Sequence, residues 1–134
     1  MSREDVELIR RAWGGVEAQS LEEAAARYWD PEIEYVEDPR WPGASRYRGR
    51  KSVIKCFQGY VEALGPSEAM AITVEEVLDA GDCQALVVDF RGRSVTGVPH
   101  EHRWGYLVKV RGGLIVSLRA YYEAHEAIAA AGLP

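Results

Sequence analysis

The sequence predicts an α+β fold, a curved antiparallel sheet with N-terminal helices packed over its concave face. Three observations predict it. Apolar residues recur at helical spacing through the first half of the chain. From Ala69 the period changes to two. Turn pairs, Gly81-Asp82 and Gly112-Gly113, cut the second half into strands. Helices at one end of a chain and strands at the other pack as two layers, not as βαβ units.

Each element has its own signal. Val6, Ile9, Trp13 and Val16 form the stripe of a first helix that Ser2 can cap. Ser20-Leu21-Glu22-Glu23 is a capping box and starts a second helix, running to about Trp29, with Pro31 beyond it. Glu32 to Asp38 reads as a short strand ending at Pro39, and the Pro- and Gly-rich stretch to Ser45 as a loop. Arg50 to Leu64 is a third helix with the stripe Val53/Ile54, Phe57, Tyr60/Val61, Leu64, stopped by Gly65-Pro66. Four strands follow, at about 69–80, 83–93, 99–110 and 114–122. A short helix from Glu123 to Ala131 ends at Gly132.

The phase of each strand sorts its side chains. Leu86, Val88 and Phe90 share one inward face. His100, His102, Trp104, Tyr106 and Val108 share another, and Leu114, Val116, Leu118, Ala120 and Tyr122 a third. Arg91, Arg93, Arg103, Ile115, Arg119 and Tyr121 then fall on the outer face, a surface suited to pairing two copies of the chain.

The 134 residues are predicted to form one domain, 1–134, large enough to hold a core without disulfide or metal staples. The net charge is −5 and no basic block occurs, which argues against nucleic-acid binding. Cys56 and Cys83 form no C-x-x-C, so a reducing cytoplasm is expected. The polar N-terminus is no signal peptide, and no apolar run approaches a membrane span.

Four Trp and seven Tyr accompany only two Phe. Rings with a polar tip suit a wet cavity or an interface better than a dry core. Trp13, Tyr28, Trp41, Tyr60, Trp104 and Tyr122, with Leu86, Val88 and Leu118, are the candidate substrate-binding residues of an apolar pocket, and Trp41 and Tyr47 a candidate lid. His102 shares a face with Trp104 and Tyr106 and is a candidate acid or base. His100 and His102 have metal-compatible spacing, but nothing places further ligands beside them, so no metal is expected. No cofactor-binding motif occurs, and no cofactor is expected.

Tyr35-Val36-Glu37-Asp38-Pro39, Tyr47-Arg48-Gly49-Arg50, Asp79-Ala80-Gly81-Asp82, Arg111-Gly112-Gly113-Leu114-Ile115-Val116 and the tail from Glu126 to Leu133 stand in a telling order. Together they resemble the SnoaL-like branch of the nuclear transport factor 2-like superfamily, relatives of ketosteroid isomerase and the polyketide cyclases. The resemblance implies a cone-like sheet, a homodimer through its outer face, and cofactor-free acid–base chemistry. The reaction would be isomerisation, cyclisation or dehydration of a small apolar carbonyl or polyketide-like compound. A non-catalytic ligand-binding module, or an interaction domain, with the same pocket is the alternative. By resemblance Asp38 is the base, its pKa expected to rise at an apolar cavity mouth. Tyr106 falls where ketosteroid isomerase carries an oxyanion-hole donor, while Ala12 stands where that enzyme has a Tyr.

Overall fold

The computed structural model describes residues 2–14, 21–64, 71–93 and 99–134. In chain order these form α1 (Ser2–Gly14), α2 (Leu21–Tyr28), β1 (Trp29–Val36), β2 (Arg46–Arg48), α3 (Arg50–Leu64), β3 (Ala71–Asp79), β4 (Gln84–Arg93), β5 (Pro99–Arg111), β6 (Leu114–Tyr121) and α4 (Ala124–Ala130). The predicted elements agree with these to within a few residues. Val16, Ser20 and Gly65-Pro66 lie outside the described residues, as do the side chains of Phe90, Arg93 and His100.

The six strands make a curved, unclosed sheet in the order β2-β1-β6-β5-β4-β3. Neighbours from β6 to β3 are antiparallel, as the turn residues predict. Gly112 and Gly113 take φ of 59° and 79°, the left-handed pair a two-residue hairpin turn needs. β1 joins β6 in parallel, which makes the sheet mixed. Their register shifts between Trp29 and Glu34, where Pro31 has no N–H for the ladder. β2 is a short edge strand that pairs with β1 just after the expected loop, where no strand is predicted.

α1 to α3 lie on the inner face. Trp13 of α1 meets Tyr106 of β5 at 5.7 Å between ring centroids, and Phe57 of α3 meets Tyr35 of β1 edge-on at 5.1 Å. Ile9, Ile33, Tyr35, Val53, Leu86, Val88, Val108, Ile115 and Leu118 are fully buried between the layers. Ile115 thus belongs to the core, not to the outer face. A bulge between Lys109 and Val110 shifts the β5–β6 register and turns Ile115 inward.

α4 packs on the opposite, outer face, and Gly105 makes that approach feasible. A Cβ at Gly105 would stand 2.5 Å from the Ala127 Cβ and 3.3 Å from the Ala124 Cα. Gly105→Ala is therefore expected to cost about 1–3 kcal/mol by overpacking. The measurement is the urea midpoint. An unchanged midpoint would mean that α4 is not held against β5.

Candidate functional site

Glu37 and Asp38 follow the last residue of β1, and both side chains are buried. They face different surroundings. Along β1, Ile33 and Tyr35 turn inward and Glu32 and Glu34 outward, so the next inward residue is Glu37.

Asp38 is turned to the C-terminal segment. Its Oδ1 accepts from the Arg40 backbone N–H and Nε, both at 2.9 Å. Its Oδ2 accepts from an Arg40 terminal nitrogen at 2.6 Å and from the Tyr122 backbone N–H at 2.7 Å. Four donors occupy the four lone-pair positions of the carboxylate. Side-chain hydrogen bonds from Arg40, with the backbone donors, hold the Asp38 carboxyl well below the usual carboxylate range. This corrects the expectation of a raised pKa: the group is an ion-paired anchor with no lone pair left to accept a proton from a substrate.

Arg40 completes a latch. The same terminal nitrogen reaches Glu126 Oε1 at 2.5 Å, and the guanidinium lies 5.2 Å from the Tyr122 ring centroid. Glu126 Oε1 also accepts from the Glu123 backbone N–H at 3.0 Å, so one carboxylate joins the start of α4 to the loop after β1.

Glu37 sits among neutral donors. Its Oε1 accepts from the Ser45 backbone N–H at 3.1 Å. Its Oε2 accepts from the Tyr60 hydroxyl and lies 3.7 Å from the Cys56 thiol. The Tyr60 and Tyr35 hydroxyls are 2.9 Å apart, so a chain of phenols runs from Glu37 into the core. Burial, chiefly, raises the pKa of Tyr35 and Tyr60 far above that of a free phenol and pushes the Cys56 thiol up. Tyr47 and Tyr106 are pushed up to about 12, again chiefly by burial. At neutral pH these tyrosines are protonated donors.

The other expected site residues separate into three groups. Trp13, Trp41, Tyr60 and Trp104 are half-buried on the inner layer, and Tyr106 is buried beside Trp13 and Trp104. Trp41 meets Tyr60 edge-on at 6.3 Å, and Tyr47 stacks on Tyr35 at 6.2 Å. Tyr28, Leu86, Val88 and Leu118 are core residues with little or no exposed surface. His102 and Tyr122 stand apart from Glu37. Tyr122 leaves the sheet after β6 and is 40% exposed, not a wall residue. The His102 ring lies between Trp104 and Tyr122, with Nε2 at 3.1 Å from the Tyr122 carbonyl oxygen. Among the described residues, no group of three or more His, Cys, Asp or Glu could hold a metal ion.

No family model matches the chain. It is 28% identical over 118 residues to an uncharacterised protein of Mycobacterium tuberculosis, covering 88% of each. Three solved structures share its fold. A putative SnoaL-like polyketide cyclase from Jannaschia sp. CCS1 matches at TM-score 0.73 and 16% identity, over 99% of this chain and 94% of that one. A protein with a ketosteroid isomerase-like fold from Catenulispora acidiphila, in complex with trimethylamine, matches at 0.69 and 20%, over 96% and 94%. TerC, co-crystallised with polyporic acid, matches at 0.75 and 16%, over 94% and 98%. The fold is nuclear transport factor 2-like, the fold that the ketosteroid isomerase-like and SnoaL-like structures share.

Proposed function

We propose that the protein binds a small organic molecule on the inner face of its sheet and transfers a proton on it without a cofactor. Glu37 would be the base. The observation that carries this reading is the buried Glu37 carboxylate, held by Tyr60 and the Ser45 backbone N–H and bordered by half-buried rings. Carboxylates placed this way serve as general bases once a C–H bond is brought within reach. Tyr106, protonated and inward, is the donor available to a developing enolate oxygen, since the Tyr60 O–H is given to Glu37. The substrate would be a carbonyl or polyketide-like compound, and the reaction an isomerisation, cyclisation or dehydration. The fold accommodates unlike small molecules, an amine in one neighbour and a compound named as an acid in another. A ligand-binding module without catalysis is the second reading, favoured by Ala12 on α1, which leaves that helix position without a hydroxyl donor.

The test is solvent-deuterium exchange of α-protons, followed by NMR across a panel of cyclic and aromatic ketones. Exchange above the buffer rate supports the enzyme. Binding with exchange at the buffer rate for every ketone supports the module instead. We also propose a homodimer through the part of the outer face that α4 leaves open, where Leu107, Val116 and Tyr121 are half-buried among charges. A monomeric mass by analytical ultracentrifugation would overturn that proposal.

A further inference from the structure

The two neighbouring carboxylates differ in one respect that bears on the ligand. Asp38 has a cation, Arg40, in bidentate contact. Glu37, also buried, has none: among the described residues no ion pair involves it. Its hydrogen-bond donors are a backbone amide, a phenol and a thiol, all neutral. Arg40 is taken by Asp38 and Glu126, and the Arg50 guanidinium donates to the Trp29 carbonyl at 2.7 and 3.0 Å. Buried carboxylates are normally matched by a cation.

The surroundings of Glu37 fit a particular cation. Tyr60 touches the carboxylate, with Trp41 and Phe57 against its ring at 6.3 and 5.7 Å. Tyr47 stacks on Tyr35 beside them. Trp41, Tyr47, Phe57 and Tyr60 are all half-buried. Ring faces carry negative potential and attract weakly hydrated cations such as methylated ammonium groups. The phenols around Glu37 stay protonated and add no charge of their own.

We infer that the ligand of this face carries a cationic nitrogen, a methylated or protonated amine, set against these rings with Glu37 as its counter-ion. The inference rests on the proposed ligand-binding role of the inner face. It names the class of molecule bound there and disfavours carboxylates, phosphates and phenolates, which would meet the Glu37 charge.

Three probes of one shape and different charge test it by isothermal titration calorimetry on the full chain. Choline is the cation, 3,3-dimethylbutan-1-ol its neutral carbon isostere, and 3,3-dimethylbutanoate the anion. Choline is expected to bind at least about tenfold tighter than the alcohol, and the anion weakest of the three. In Glu37→Gln the choline preference is expected to fall to about threefold or less. Should that variant not fold, Trp41→Leu keeps the apolar area but removes a ring face, and is expected to weaken choline alone. Alcohol binding as tight as choline, or a preference unchanged in the variants, overturns the inference and leaves the ligand-binding role standing. Failure of all three probes to bind overturns both.

Discussion

Glu37→Gln is expected to slow α-proton exchange on any ketone the protein turns over by at least about a hundredfold, the loss typical of removing a general base. The substitution keeps the shape, and its single amide oxygen can still accept from the Ser45 N–H, while the amide nitrogen would donate to the Tyr60 hydroxyl in place of accepting from it. What disappears is the group that takes the proton. Glu37→Asp, shorter by one methylene, is expected to retain part of the rate. Asp38→Asn is the contrast, because Asp38 already holds four donors and faces Tyr122. Its exchange rate is expected to stay within about tenfold of wild type, about 1.4 kcal/mol in the barrier. If Asp38→Asn loses the activity and Glu37→Gln keeps it, the assignment of the base is wrong.

The second large effect is on stability and its pH dependence. Asp38→Ala leaves the Arg40 and Tyr122 backbone N–H groups without their acceptor and is expected to cost about 2–4 kcal/mol. The pKa of Asp38 is lower in the folded chain than the 3.8 of a free carboxyl. A group shifted down in the native state stabilises it above the unfolded pKa, and that contribution is lost as pH falls through the folded one. Glu126, lowered by its hydrogen bond from Arg40, acts in the same direction. Wild-type stability is therefore expected to hold above about pH 5 and to fall below about pH 4, in the region where the unfolded carboxyls take up protons. In Asp38→Asn that fall should be shallower. Urea titrations from pH 3 to 7 measure it, and parallel curves for the two proteins would exclude Asp38 as the source.

Much of the fold can be read from periodicity because strands with one buried face alternate and turns need glycine. The bounds of β3 to β6 and the inward placing of Leu86, Val88, Trp104 and Tyr106 follow from that rule alone. The parallel β1–β6 pair does not, since no residue pattern in either strand announces a partner more than eighty residues away. Nor does the bulge that buries Ile115, because the extra β6 residue turns Ile115 inward while Leu118 and Ala120 keep the regular phase. The inward turn of Glu37, next to Asp38, is hidden for a related reason. Val36 and Asp38 read as one face, whereas Ile33 and Tyr35 against Glu32 and Glu34 define the phase that leads to Glu37. Those four residues were the available signal. The ion pair that engages Asp38 depends on where Arg40 points after a proline turn, which alternation does not encode.

The sheet order also governs when the fold can close as the chain leaves the ribosome. β1 emerges early, yet apart from the three-residue β2 its sheet neighbour is β6, close to the C-terminus. Until β6 is made, β1 keeps one edge unpaired and its Ile33 and Tyr35 lack the far half of their core. Pairing so distant in sequence carries a large loop-closure cost and slows folding. A chain that lacks β6 is thus an unfinished sheet with exposed apolar strands, and the pairing of β6 with β1 and β5 is what completes the core.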